Sequence, residues 1–141
     1  MRLVYSCVGL IATLTLCSAQ VVSTPGNGSE TTIRRILDTG ISDGHDQKVI
    51  GHLGDTAGVL ISQILKDKPP TPTNIDMALL VIRSAFADPS FVEATKDKEP
   101  RTSLLLLRYF SYCTNDSALK ERIAETGKYL QHQYSEYVQR K

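Results

Sequence analysis

The chain has 141 residues, 41% of them hydrophobic and 22% charged, with 16 Lys+Arg against 15 Asp+Glu. A chain of this length is about the commonest size for one domain and can bury a core without a staple. A formal net charge of +1 excludes the basic surplus with which nucleic-acid binders displace counterions from phosphate, so no nucleic-acid partner is expected.

In chain order, Met1-Arg2, an apolar run over residues 3–16 and the small-residue exit Cys17-Ser18-Ala19 have the form of a secretory signal peptide over residues 1–19, with cleavage before Gln20. The run is too short for a secure membrane span, and no later segment is apolar enough for stable membrane insertion. The expected localisation is secreted, extracellular. Loss of Arg2 balances the charges at 15 of each sign, while the segment from Lys96 onward holds nine Lys/Arg against six Asp/Glu. A polar partner could exploit that asymmetry. Loss of Cys7 and Cys17 leaves Cys113 alone, so no internal disulfide can form and a hydrophobic core must hold the fold. Cys113 reads as a buried thiol acting as a small hydrophobe. The alternatives are an intermolecular disulfide, hence a homodimer, and a reactive thiol for which no neighbouring His supplies activation.

Residues 20–28, with Pro25, Gly26, Asn27 and Gly28, read as a flexible leader. Order is expected from Ser29, capping a helix with Ile33, Ile36 and Leu37 on one face and Gly40 at its end. After a polar turn at Ser42, Asp43 and Gly44, the spacing of Val49, Ile50, Leu53, Ala57, Leu60, Ile61, Ile64 and Leu65 predicts one amphipathic helix. Gly51, Gly54 and Gly58 each cost it about 0.8–1 kcal/mol relative to Ala. Gly54 and Gly58, four apart, suit close approach of a neighbouring helix, with a bend or irregular first half as the alternative.

Pro69-Pro70-Thr71-Pro72 ends that helix and forms a stiff connector. Thr73 and Asp76 resemble a capping box for a central helix carrying Ile75, Ala78, Leu79, Ile82, Ala85 and Phe86. Asp88-Pro89 then start a brief helix through Phe91, Val92 and Thr95. Thr102 or Ser103 is expected to cap residues 104–113, where four leucines in a row, Tyr109, Phe110 and Tyr112 suggest burial on nearly every side. Asn115 or Asp116 caps a long last helix with a seam at Leu119, Ile123, Thr126, Leu130 and Tyr137. The fold class is therefore all-α, with residues 29–141 as a single domain: a compact bundle of helical hairpins, two halves joined by the Pro-rich connector.

Catalytic signatures are missing: there is no His-Glu-x-x-His, no Gly-x-Ser-x-Gly, no phosphate loop and no repeated Cys-x-x-Cys, so neither an enzyme nor a cofactor is expected. His45 and His52, seven apart, could join Asp55 on one helix face only as an incomplete metal site, so no metal is expected. The tyrosines near the C-terminus read first as packing on other helices with their hydroxyls in water; otherwise Tyr134, Tyr137 and Arg140, residue types favoured at interface hot spots, form the partner-binding surface to test first. Two glycosylation sequons occur, at Asn27 in the leader and at Asn115. The second overlaps a helix cap and reads more simply as a chance match.

A secreted, disulfide-free, all-helical chain of this length, with Gln20-Val21-Val22-Ser23-Thr24-Pro25 after the cleavage site and Lys66-Asp67-Lys68-Pro69-Pro70 near its middle, resembles the anophensin-type salivary proteins of Anopheles mosquitoes. The resemblance implies a compact bundle of helical hairpins that docks stoichiometrically on a host plasma protein, inhibiting the alternative complement pathway or the kallikrein-kinin contact system. It carries no functional residue onto a position here. Two rival readings are a carrier of a lipid or other apolar ligand, lined by residues 104–107, Phe86 and Phe91, and a cytokine-like effector.

Overall fold

The computed structural model describes residues 25–87 and 99–139, which form six helices and no strand. They are α1 (Pro25–Thr39), α2 (Gly44–Ile50), α3 (Thr56–Ile64), α4 (Pro72–Ala85), α5 (Arg101–Cys113) and α6 (Ser117–Gln139). The all-α expectation holds. The expected signal peptide, and the brief helix from Asp88-Pro89, lie outside the described residues. The chain divides into two units, Met1–Thr31 and Thr32–Lys141. Of the first, the described part is the opening of α1, which begins at Pro25 and not at the expected Ser29 cap. Proline's fixed φ suits the first turn of a helix, where its missing N–H costs nothing.

In the second unit, Ile33, Ile36 and Leu37 of α1 are buried, and α1 stops where expected, at Gly40, whose φ of 74° is left-handed. The expected long second helix is two helices. Asp43 caps α2 reciprocally with Asp46: the Asp43 carboxylate accepts from the Asp46 N–H at 2.9 Å and the Asp46 carboxylate from the Asp43 N–H at 3.0 Å. Asp46 also pairs with Arg35 of α1, which ties the two helices together. The helical path then breaks between Ile50 and Thr56 because Gly54 takes a φ of 56°, which is left-handed and incompatible with a continuing helix, and donates its N–H to the Ala85 carbonyl of α4 at 2.9 Å. The apolar period survives the break, with Ile50, Ala57, Leu60 and Ile61 all in the core.

Helix α4 starts two residues earlier than the Thr73/Asp76 pattern suggests. Thr71 is the cap: its hydroxyl accepts from the Asn74 N–H at 3.0 Å, the Asn74 side chain accepts from the Thr71 N–H at 3.0 Å, and Pro72 occupies the first turn. Asn74 also donates to the Leu37 carbonyl at 3.1 Å, closing the end of α1. All six predicted core positions of α4 are buried, together with Val81. α4 packs on α2, α3 and α6, so it is the central helix, and α5 packs on α3 and α6. The two halves flanking the proline connector therefore share one core. Helix α6 buries the predicted seam of Leu119, Ile123, Thr126, Leu130 and Tyr137. It is fastened to α4 by Arg122 on Asp76 at 2.9 Å and by Arg83, which donates to Thr126 Oγ1 at 3.3 Å and lies 5.0 Å over the Tyr129 ring. Gln133 adds a hydrogen bond to the Phe86 carbonyl at 2.9 Å.

Candidate functional site

Helix α5 is held from below by an unusual cap. Pro100 occupies its N-cap position and gives no side-chain hydrogen bond, and neither Thr102 nor Ser103 takes the capping role expected of it. Asp55, at the start of α3, reaches across instead, its carboxylate accepting from the Thr102 N–H at 2.9 Å and the Ser103 N–H at 2.8 Å. A carboxylate at a helix N-terminus satisfies open backbone donors and meets the positive end of the helix dipole. Asp55 is only 6% exposed, so its two acceptors are committed to this joint. His45 is exposed on α2, His52 lies in the following turn, and no group of three metal-ligating side chains occurs among the described residues.

Beside this cap α3 and α5 touch backbone to backbone. A methyl group at Gly58 would sit 2.6 Å from Ser103 Oγ and 3.0 Å from Ser103 Cα. Gly58 thus serves the close helix approach expected of it, whereas Gly54 serves the turn. Ser103 is fully buried, and its hydroxyl finds no hydrogen-bond partner among the described residues.

With one side fixed on α3 and α6, α5 exposes the other. Ser103, Leu106, Leu107 and Phe110 face inward, while Leu105, Tyr109 and Tyr112 are 63%, 45% and 82% exposed. Burial on nearly every side is therefore overturned: four consecutive leucines at about 100° per residue sweep most of a helix's circumference, and the neighbours cover only part of it. The outward residues recur at i, i+4 and i+7, one stripe on one face.

Two grooves flank this ridge. One, of about 500 Å³, lies between α3 and α5 and is lined by Ser62, Leu65, Lys66, Thr102, Leu105, Leu106 and Tyr109. The other, of about 270 Å³, lies between α5 and α6, with Leu104, Leu107 and Ile123 in its lining beside Arg108 and Lys120. Both are apolar, and the charged residues lining them are cations: Lys66 in the first, Arg108 and Lys120 in the second. Cys113 ends α5 half-buried, without a disulfide. Its hydrogen bond to Tyr109, followed by the partial burial of that ring, raises the Tyr109 phenol above its ordinary pKa.

Of the expected C-terminal surface, the structure withdraws Tyr137. Tyr137 is buried, only 6% exposed, because it belongs to the core seam of α6, and Tyr134 is half-buried. Arg140 lies outside the described residues. Phe86, Leu106 and Leu107, expected to line a carrier's cavity, are core residues, and Phe91 lies outside the described residues. Asn27 falls within α1 and Asn115 is exposed between α5 and α6. The α5 ridge was missed at the level of sequence, although the i, i+4, i+7 spacing of Leu105, Tyr109 and Tyr112 against the inward set was its signal. No helix among the described residues is long and apolar enough to cross a membrane. No protein-family model matches the chain, and comparison with curated proteins and with solved structures gave no match.

Proposed function

We propose that this chain is an exported docking protein that binds an extracellular plasma protein stoichiometrically through the α5 ridge. The observation that carries the reading is the exposed stripe of Leu105 and Tyr109 between two apolar grooves whose charged lining residues are Lys66, Arg108 and Lys120. Isolated exposed apolar residues are ordinary, but a leucine and a tyrosine on one helix face between apolar grooves have the composition of an interface core with a polar rim. Cations beside apolar floors favour a partner whose apolar anchors are ringed by carboxylates. The cap from Asp55 and the contact at Gly58 keep α5 rigid, which lowers the entropy lost on binding.

Export is supported by the N-terminal pattern of Arg2, the apolar run and the small residues Cys17 and Ala19. The likeness to anophensin-type salivary proteins supports a complement or contact-system component as the target, and inhibition by steric occupation. Purified mature chain used as bait in plasma, followed by alternative-pathway and contact-activation assays, tests the reading. Capture of a plasma component with inhibition of one cascade is expected. Failure to capture any component, with both cascades running at their normal rates, refutes it.

A further inference from the structure

We propose that Asn115 carries an N-linked glycan, an inference that rests on the reading of the chain as exported. Asn115-Asp116-Ser117 satisfies the acceptor rule of Asn, a non-proline residue and Ser or Thr. From sequence, the objection is that the Asn115 side chain is needed to cap the following helix. The structure removes that objection. Asp116 is the cap, its Oδ1 accepting from the Ala118 N–H at 2.9 Å and the Leu119 N–H at 3.2 Å. The Thr114 hydroxyl accepts from the Asp116 N–H at 3.1 Å. None of these hydrogen bonds uses the Asn115 carboxamide. Asn115 and Ser117 are both exposed, and Thr114 before them has extended backbone at φ −133° and ψ 149°. A bulky, hydrated sugar therefore fits this link without breaking the cap or entering the core.

A second observation points to the same place. Tyr112, three residues before Asn115, is 82% exposed, more than any other large apolar or aromatic residue described. Tyr112 lies in the last turn of α5 and Asn115 follows two residues after that helix ends, so ring and acceptor belong to the same end of the helix. Packing the C–H face of the first sugar on the ring removes apolar surface from water on both. The glycan covers Tyr112 and closes the docking ridge at its C-terminal end, leaving Leu105 and Tyr109 for the partner.

The chemistry is a group transfer. Asn115 Nδ2 attacks the anomeric carbon of a lipid-diphosphate-linked oligosaccharide in the secretory lumen. The C–N bond forms as the bond from that carbon to the diphosphate oxygen breaks, Nδ2 gives up one proton, and the lipid diphosphate leaves. No oxidant or reductant enters.

The test translates the full chain with rough microsomes. Protease protection reads entry into the lumen, and sensitivity to peptide-N-glycosidase reads the sugar. N27Q isolates the second sequon, and N27Q/N115Q and N27Q/S117A each abolish it, the latter leaving Asn115 and the Asp116 cap in place. Protease-protected N27Q is expected to carry one removable glycan, and both double variants none. Protected N27Q without sugar overturns the proposal while leaving export standing, as does sugar that persists in N27Q/N115Q. A chain fully open to protease overturns the export reading and the glycan together.

Discussion

At the residue scale, the arrangement depends on a few committed polar and small side chains. Asp55→Ala removes a buried carboxylate that serves two backbone N–H groups of another helix, and charged hydrogen bonds of this kind contribute about 1.5–3 kcal/mol each. The two share one carboxylate, so we expect a total loss of about 2–3 kcal/mol in chemical denaturation. Gly58→Ala drives a methyl group against the Ser103 backbone, and an overpacked contact of this kind costs about 1–3 kcal/mol. Ser103→Ala should do the reverse. It deletes a buried hydroxyl without a partner and keeps the small size that the α3–α5 contact needs, so a gain of about 1 kcal/mol is expected in the same measurement. Asp46 contributes to acid sensitivity. Its hydrogen bond to Arg35, opposed by burial and aided by the Asp43 backbone, holds its pKa below 3.8 in the folded chain. A depressed carboxylate contributes stability that is present in full above the unfolded value and disappears as pH falls through the folded value. Stability should therefore drop below pH 3.8 more steeply in the wild type than in Asp46→Asn, and equal slopes in acid titrations of stability would contradict the pairing.

At the element scale, what was legible in the sequence was periodic, and what was not depended on partners far along the chain. The stripes Ile33, Ile36, Leu37 and Leu119, Ile123, Thr126, Leu130 read correctly because helical spacing alone fixes a face. Tyr137 fitted both the seam of α6 and the chemistry of an interface, and burial placed it in the seam. Tyr137→Ala is accordingly a core truncation, expected to lower stability by about 3–5 kcal/mol, and not a probe of binding. The break between α2 and α3 was hidden because apolar spacing continues through it, while the left-handed Gly54 is fixed by a hydrogen bond to Ala85 in a distant helix. The cap of α5 was hidden for the same reason: Asp55 lies 47 residues before Thr102, and local capping patterns see only neighbours. The outward stripe of α5 follows from the inward one, since residues that face the core at Ser103, Leu106, Leu107 and Phe110 leave Leu105, Tyr109 and Tyr112 on the far side. At this scale the basic residues predict kinetics. Charge reversal by Arg108→Glu and Lys120→Glu should slow association with the captured partner and reduce its salt dependence, with less effect on dissociation.

At the scale of the whole molecule, the described helices of Thr32–Lys141 share one hydrophobic core, drawn from both sides of the proline connector. Among the described residues no disulfide contributes to it, so unfolding of the monomer should be indifferent to reductant. What this fold offers to solvent is a stiff helix flanked by two apolar grooves with basic residues, which suits recognition by surface complementarity. Composition and periodicity could announce the all-helical core. They could not announce which face stays uncovered, because that depends on how α3 and α6 lie against α5. The most direct measurement is a titration of the plasma component captured by the wild-type chain against wild type and the Leu105→Ala/Tyr109→Ala variant, with helicity and melting checked in parallel. Both side chains are substantially exposed, so folding should be little changed while affinity falls at least about tenfold, or 1.4 kcal/mol. A folded double variant that binds its target as tightly as the wild type would contradict the claim that α5 is the docking surface.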